Sequence, residues 1–329
     1  MIRFGVVGTN WITESFIHSA SDLQDFKLVA VYSRSEEKAA EFAAKFGVET
    51  TFTDLEDMAN SDKIDAVYIA SPNALHAEQA ILFMDNKKHV ICEKAIASNA
   101  SQLKEMIKTA KDNQVLLMEA LKSTFLPNFK EVQKNLHRVG TVRRYFASYC
   151  QYSSRYDAYK EGTVLNAFKP ELSNGALVDI GVYCIYPLVV LFGKPTEIKA
   201  SGLLLDSGVD GEGSILLKYA DMEAVIMYSK ISNSYIPSEI QGEEGSIVID
   251  KIHTPEKVEL YLRNGCIEDF SKPQKSNSMY YEAEEFVNLI KKGQLESSIN
   301  SYEHSLWTME IMDEVRKQIG VVFPSDKNN

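Results

Sequence analysis

The sequence predicts an α/β domain with a doubly wound parallel sheet, followed by an α+β domain with a mostly antiparallel sheet. Three observations lead to this prediction. Buried-strand patterns alternate with amphipathic-helix patterns through the first 120 residues, which is typical of parallel sheets. Short strand patterns then recur between residues 196 and 270, separated by turn signals such as Asp210-Gly211. The chain has 329 residues, enough for two domains that each bury a core.

In the first domain, strand and helix patterns follow one another at the spacing of βαβ units. Gly47 is placed to end the second helix. The predicted strands cover residues 2–8, 27–32, 65–70, 89–92 and 115–118, and the predicted helices cover residues 12–21, 36–46, 74–86 and 101–113.

The turn after the first strand matches part of the dinucleotide-binding fingerprint Gly-x-Gly-x-x-Gly/Ala. Gly8 occupies the first glycine position, and Asn10 and Thr13 occupy the other two. Asparagine tolerates a positive φ, so we expect Asn10 to preserve the turn in that conformation. The residues expected to contact a dinucleotide here are Gly8, Thr9, Asn10, Trp11 and Ile12.

The end of the second predicted strand indicates which dinucleotide is preferred. NAD-specific folds place an acid there for the ribose hydroxyls, whereas an arginine accommodates a 2′-phosphate. Here Tyr32 is followed by Ser33 and Arg34, with no acid before Glu36. A hydroxyl and a guanidinium suit phosphate, so we predict NADP, with NAD possible. The alternative is that Ser33 and Ser35 cap the next helix.

The stretch of residues 88–97 ends a buried strand in two opposite charges, Glu93 and Lys94. Open α/β sheets bind ligands beyond the carboxyl ends of their strands. Lys94 is therefore a candidate for chemistry, and the alternative is a surface ion pair at a strand end.

The second half begins with helix-type and strand-type patterns and then becomes rich in short strands. Asp179 and Tyr183 are four residues apart on an apolar helix, so we expect them on one face, one turn apart. The predicted helices cover residues 126–136, 176–192, 280–291 and 302–319, and the predicted strands cover residues 141–152, 198–205, 213–219, 223–229, 238–242, 246–249 and 258–261.

Composition and charge narrow the class of protein. The chain is 45% hydrophobic and 25% charged, as in soluble globular proteins. Its net charge of −11 argues against nucleic acid as a partner. It starts directly in a strand pattern rather than a signal peptide, and no apolar run approaches the ~20 residues that span a bilayer. We therefore expect a cytoplasmic protein without a membrane partner.

The four cysteines, Cys92, Cys150, Cys184 and Cys266, are far apart and lack metal-ligand spacing. Each has apolar neighbours, so we expect buried free thiols and no metal site.

Several motifs in order resemble the Gfo/Idh/MocA family of glucose-fructose oxidoreductase, inositol dehydrogenase and dihydrodiol dehydrogenase relatives. They are Ser71-Pro72-Asn73-Ala74-Leu75-His76, Glu93-Lys94-Ala95, Met118-Glu119-Ala120 and Asn174-Gly175-Ala176-Leu177-Val178-Asp179-Ile180-Gly181-Val182-Tyr183. The resemblance implies a Rossmann domain over residues 1–121. It also implies an α+β domain with a large open sheet over residues 122–329, whose last helix packs back on the first domain or stays with its own.

The resemblance further implies NAD(P)-dependent hydride transfer at a hydroxyl-bearing carbon of a sugar, polyol or diol. By motif position Lys94, Asp179 and Tyr183 are the catalytic residues. An adjacent Lys94 ammonium would favour the phenolate of Tyr183, whose ordinary pKa near 10 is too high for a base at neutral pH. The further cofactor-binding positions are Ser71, Pro72, Asn73, His76, Glu93, Lys94 and Glu119.

Two departures from the family pattern bear on the site. Ala95 replaces the proline of Glu-Lys-Pro, so we expect a trans Lys94–Ala95 bond rather than the cis bond possible before proline. The segment after Glu119-Ala120 reads Lys122-Ser123-Thr124, where relatives often have arginine. Candidate specificity residues are Lys122, Tyr152, Arg155, Tyr156, Asn166 and Lys169.

An open sheet with helices on one face needs a partner for the other face, so we expect a homodimer or homotetramer. The alternative to an enzyme is a non-catalytic NADP-binding sensor or regulatory protein of the same fold.

Overall fold

The computed structural model describes residues 1–328 and divides them into two compact units. One unit contains Met1–Leu121 together with Lys275–Tyr302. The other contains Lys122–Gln274 and the segment that starts at Glu303. This division differs from the predicted one in Lys275–Tyr302, which joins the first unit.

The first unit contains a parallel six-stranded sheet with strand order β3-β2-β1-β4-β5-β6. This is the strand order of the doubly wound dinucleotide-binding fold, so the predicted fold of this half is confirmed. The strands are β1 Ile2–Val7, β2 Phe26–Tyr32, β3 Thr50–Phe52, β4 Ala66–Ile69, β5 His89–Glu93 and β6 Leu117–Ala120. The helices are α1 Trp11–Ala20, α2 Glu36–Lys45, α3 Leu55–Asn60, α4 His76–Asp85 and α5 Ala100–Asn113.

Two short elements of this unit are absent from the sequence prediction. Strand β3 has three half-buried residues, and helix α3 has six residues, capped by Asp54 through Asp57 N. Neither is long enough to show a hydrophobic period. Gly47 has φ +66 directly after helix α2, as its placement predicts.

The second unit contains a mixed eight-stranded sheet with strand order β14-β13-β12-β11-β7-β10-β9-β8. Strands β7 and β10 pair in parallel, and the other pairs are antiparallel, which confirms the predicted sheet type. The strands are β7 Val142–Cys150, β8 Glu197–Leu204, β9 Asp210–Lys218, β10 Glu223–Ser229, β11 Ser238–Gly242, β12 Gly245–Ile249, β13 Val258–Leu262 and β14 Ile267–Asp269. The numbered helices of this half of the chain are α6 Pro127–Asn135, α7 Tyr156–Lys160, α8 Val182–Phe192, α9 Tyr280–Lys291 and α10 Tyr302–Ile319, of which α9 belongs to the first unit.

Helix α9 returns to the first unit through polar and aromatic contacts. Lys291 forms an ion pair with Asp25 at 2.5 Å, and Asn277 Nδ2 donates to Ser15 O at 2.9 Å. The ring of Phe286, which is fully buried, lies 5.8 Å from that of Phe4. These partners are more than 250 residues apart in the chain, so no local pattern indicates them.

Among the described residues, one helical segment, Pro170–Phe192, is long and apolar enough to cross a membrane, which the sequence analysis did not expect. However, 72% of its apolar window is buried inside the protein. Burial against the sheet of the second unit accounts for its hydropathy, since Tyr145 on β7 donates to Cys184 O at 2.9 Å.

The four cysteines are free thiols, but one expectation about them is wrong. Cys92 and Cys184 are buried and Cys150 is half-buried, whereas Cys266 is exposed. Cys266 follows the turn residues Asn264 and Gly265 between β13 and β14, and this edge hairpin carries its side chain out of the core.

Candidate active site

The turn between β1 and α1 is shaped for close approach of a ligand to the backbone. Gly8 has φ +110, and a Cβ there would lie 2.8 Å from the carbonyl oxygen of Ala70. Only glycine fits this conformation and this space. The turn therefore leaves bare backbone at the amino end of α1, which is the arrangement that a dinucleotide pyrophosphate requires.

Asn10 supports this turn differently from the prediction. Its backbone is extended, with φ −101 and ψ 176, so the expected positive φ is wrong. Its Oδ1 accepts from Ile12 N at 3.0 Å and Thr13 N at 3.2 Å, and its Nδ2 donates to Ala70 O at 2.9 Å. The positive φ falls on Gly8 alone, because Asn10 is recruited as the helix cap.

We expect Asn10→Ala to destabilise the protein by about 1 kcal/mol, because it removes a helix cap. For a protein of this size that lowers Tm by roughly 2–4 °C. Thermal unfolding measures this change. Asn60→Ala, at an exposed helix end, is the control and should leave Tm unchanged. Equal Tm values for the Asn10 variant and the wild type would contradict the capping role.

The carboxyl end of β2 carries Ser33 and Arg34. Ser33 is half-buried and its amide donates to Phe52 O at 3.1 Å, whereas Arg34 is exposed. Ser35 accepts from Lys38 N and caps α2, so the capping alternative holds for Ser35. Capping by Ser35 does not involve Arg34, whose guanidinium remains at the strand end, where the ribose of a dinucleotide is bound in this fold.

His76 links the loops that follow β4 and β5. It is fully buried, with Nδ1 2.9 Å from Ala95 O and Nε2 2.9 Å from Ser71 O. Burial lowers the pKa of His76, and a neutral imidazole donates to only one of these carbonyls at a time. His76 therefore holds the two loops together rather than presenting its ring to solvent. Pro72 and Asn73 lie in the loop that it anchors.

The loop after β5 presents Lys94 at the carboxyl edge of the sheet. The Lys94–Ala95 peptide bond is cis, so the expectation of a trans bond is wrong. Hydrogen bonds on both sides set this backbone, since Lys94 N donates to Glu93 Oε2 at 3.2 Å and Ile96 N donates to Glu119 Oε1 at 3.1 Å.

Glu93 at the end of β5 and Glu119 on β6 are buried carboxylates that accept hydrogen bonds from backbone amides of this loop. Glu93 is 8% exposed and accepts from Tyr68 OH at 2.7 Å, and Glu119 is 2% exposed. The alternative of a surface ion pair at the strand end does not fit a carboxylate that is this deeply buried. Lys94 itself is half-buried.

In the second unit, Asp179 lies in a π-helical turn, Leu177–Gly181, that leads into α8. The plain α-helical spacing expected between Asp179 and Tyr183 does not apply across this turn. Leu177 N donates to the buried Asp210 at 2.7 Å, and a Cβ at Gly175 would collide with the same carboxylate. π turns of this kind are frequent at functional sites.

Asp179 forms an ion pair with Lys230, which follows strand β10. Lys230 is 4% exposed, and sequence reasoning missed it. The signal was present, since a lysine directly after a buried strand is the same feature that singled out Lys94.

Tyr183 lies in an aromatic group within the second unit. Its ring is 5.8 Å from that of Tyr149 and 6.3 Å from that of His253, and the latter two rings stack at 4.1 Å. Burial, helped by the charge of Lys122, lowers the pKa of His253 to about 4, so its ring is neutral at physiological pH. No sequence pattern indicated His253.

The candidate specificity residues all belong to the second unit, and two of them, Tyr152 and Tyr156, are in contact. Lys122 begins a short 3₁₀ turn in which Ser123 and Thr124 are fully buried. Tyr152 OH donates to Asp157 Oδ1 at 2.8 Å, and the Tyr156 ring lies 5.6 Å from that of Tyr152. Arg155 precedes α7, Asn166 begins a short 3₁₀ turn in the same loop, and Lys169 follows that turn. Among the described residues, no group of histidine, cysteine and acidic side chains is arranged to hold a metal ion.

Comparison with known proteins identifies the family. Residues 2–121 match the family model described as oxidoreductase family, NAD-binding Rossmann fold, and residues 135–248 match the GFO/IDH/MocA C-terminal domain. A Bacillus subtilis protein, scyllo-inositol 2-dehydrogenase (NADP(+)) IolU, is 63% identical over 327 residues, covering 99% of this chain and 100% of that protein. A trans-1,2-dihydrobenzene-1,2-diol dehydrogenase of Danio rerio is 33% identical over 342 residues, covering 99% of each chain.

A solved structure shows the same fold at lower identity. It is a 3-ketoreductase from Actinomadura kijaniata with NADP and TDP-benzene, which is 24% identical with a TM-score of 0.86, over 97% of this chain and 98% of that one. The predicted family, fold class and enzyme class are confirmed, and the sensor alternative gives way to an enzyme. The chain belongs to the Gfo/Idh/MocA family of nicotinamide-dependent oxidoreductases.

Proposed function

We propose that this protein is an NADP-dependent dehydrogenase of a cyclic polyol, with scyllo-inositol as the first substrate to test. The observation that carries the proposal is the end-to-end identity of 63% to a scyllo-inositol 2-dehydrogenase that uses NADP(+). Arg34 at the end of β2 supports the choice of cofactor, and the glycine turn at Gly8 supports its binding.

The reaction needs a hydride acceptor and a group that takes the hydroxyl proton. Bound NADP(+) supplies the acceptor at C4 of its nicotinamide. We assign proton removal to Tyr183 and binding of the reacting hydroxyl oxygen to Lys94. Asp179 accepts a hydrogen bond from a further substrate hydroxyl, since an ionised carboxylate is an acceptor only.

The test is steady-state turnover with scyllo-inositol, other inositols, aldoses and trans-diols, each with NADP(+) and NAD(+). We expect reduction of NADP(+) with an inositol at the highest kcat/KM. An enzyme that works only on open-chain sugars or diols would contradict the substrate class. Turnover with none of the panel would contradict the proposed activity.

Cofactor preference yields a separate prediction. We expect Arg34→Ala to raise KM for NADP(+) by about 10- to 100-fold, because a hydrogen bond from a charged group contributes about 1.5–3 kcal/mol. KM for NAD(+) should stay within about twofold of the wild type, since NAD(+) has no 2′-phosphate. Lys38→Ala, on the exposed face of α2, is the matched control. Equal changes in KM for both cofactors, or better use of NAD(+) by the wild type, would show that Arg34 does not bind the 2′-phosphate.

We also propose that the protein works in the cytoplasm as a homodimer or homotetramer, assembled through the open face of the eight-stranded sheet. In the strand register, Leu203, Leu216, Val225 and Phe146 lie on one face of the sheet. Leu203 is 51% exposed and Leu216 is 42% exposed, which is costly for a face left in water. Light scattering at micromolar concentration should give at least twice the chain mass of 37.0 kDa, and a monomer would contradict the assembly.

A further inference from the structure

Lys230 is a buried lysine to which the proposed reaction assigns no task. It directly follows β10 and is 4% exposed. Its amide donates to Gly211 O at 2.9 Å, and its carbonyl accepts from Ser153 N at 2.8 Å. The backbone of Lys230 is therefore held between β9 and the segment that follows β7, independently of its side chain.

The ammonium of Lys230 lies among charged and aromatic groups of the second unit. It pairs with the carboxylate of Asp179 and lies 5.5 Å from the centre of the Phe168 ring. Its charge also acts on Asp210, which is 1% exposed and whose pKa burial raises to about 6. Burying a lysine side chain without a partner is costly, and the carboxylate of Asp179 is the partner that offsets this cost.

The two partners of this pair differ in exposure. The side chain of Lys230 is 6% exposed, whereas that of Asp179 is 34% exposed. The cation thus lies behind the carboxylate, and the carboxylate faces outward. Asp210 also stabilises the π turn that carries Asp179. Its Oδ2 accepts a hydrogen bond from Leu177 N, the first residue of that turn.

We propose that Lys230 is a positioning residue that holds Asp179 ionised and oriented to accept a hydrogen bond from a substrate hydroxyl. The inference rests on the proposed function, in which Asp179 contacts the substrate. The competing explanation is that Lys230 only ties β10 to the π turn and supports the fold.

The experiment compares Lys230→Met, Lys230→Arg, Asp179→Asn and the double variant Lys230→Met/Asp179→Asn by turnover and thermal unfolding. We expect Lys230→Met to lower kcat/KM for the polyol about 100-fold, since a misplaced polar group has an effect of that order. Lys230→Arg should recover most of this loss. In the Asp179→Asn background, Lys230→Met should change kcat/KM by less than about threefold, because no carboxylate remains to be positioned. Lys317→Met, on α10 with a side chain that is 80% exposed, is the matched control and should equal the wild type.

Each outcome decides the inference. Equal losses from Lys230→Met in the wild-type and Asp179→Asn backgrounds mean a structural role and overturn it. Wild-type turnover together with near-wild-type turnover of Lys230→Met overturns it while the proposed function stands. No wild-type turnover with any substrate of the panel overturns the proposed function and the inference together. If Lys230→Met does not fold, the double variant, which removes both charges, takes its place. A kcat/KM equal to that of Asp179→Asn then supports the inference, and a much lower one overturns it. Retained turnover by Lys230→Arg also supports the inference, and loss of turnover overturns it.

Discussion

Replacing Lys94 with alanine is expected to lower kcat by about a thousandfold or more. In the proposed mechanism the substitution removes the cation that binds the reacting hydroxyl oxygen and also the charge that favours the Tyr183 phenolate, and each of these effects contributes about 10²-fold or more to the rate. Stopped-flow and steady-state reduction of NADP(+) with saturating polyol measure the loss. Because Lys94 was also predicted to contact the cofactor, NADP(+) affinity must be measured separately by fluorescence titration.

The control for this variant is Lys108→Ala. Lys108 lies on α5, with a side chain that is 77% exposed, and pairs with Asp112 on the surface. A surface pair of this kind contributes little, so turnover and Tm should equal those of the wild type. If Lys94→Ala binds NADP(+) normally, melts like the wild type and still turns over within tenfold of it, Lys94 is not a catalytic residue.

Replacing Tyr183 with phenylalanine is expected to lower kcat by about 10²- to 10⁴-fold, because it removes the hydroxyl assigned to proton transfer. The ring keeps its edge-to-face contact with Tyr149, at 5.8 Å, and its contact with His253, at 6.3 Å. The free energy of unfolding should therefore change little, which separates a catalytic role from an aromatic core role. Urea unfolding alongside steady-state kinetics makes both measurements.

Tyr261→Phe is the matched control for the Tyr183 variant. Tyr261 lies on β13 and is 39% exposed, so loss of its hydroxyl should affect neither turnover nor unfolding. Full turnover by Tyr183→Phe would remove Tyr183 from the mechanism. A loss of turnover accompanied by an equally large loss of stability would instead assign Tyr183 to packing.

Much of the cofactor half of this protein could be predicted from sequence, because its signals are local. Gly8 needs a positive φ and bare space beside Ala70, and only glycine provides both. Each helix of the first unit except α3 showed its period over ten or more residues. Arg34 could be singled out because it lies just beyond β2, and the apolar run of that strand shows where the strand ends.

In two places the structure differs from the sequence prediction, and in both the segment contacts residues that are distant in the chain. Asn10 was expected to take a positive φ but caps α1 and bonds Ala70, which is 60 residues away. The Lys94–Ala95 bond was expected to be trans, but it is cis in a loop whose backbone is bonded to His76 and Glu119. In both places the bonding partners lie outside the local segment, since Ala70 follows β4, His76 begins α4 and Glu119 lies on β6.

The sequence by itself determined the longer strands and helices, the dinucleotide turn, the family, and the choice of Lys94, Asp179 and Tyr183 as the residues to test. Only the tertiary structure revealed the buried lysine behind Asp179, the neutral histidine beside Tyr183 and the return of α9 to the first unit. The physical reason is range. Hydrophobic period and turn chemistry act between neighbours in the chain, whereas Lys230 meets Asp179 across 51 residues and Asn277 meets Ser15 across 262. Pairings at that range depend on how strands and helices pack, which no short stretch of sequence encodes.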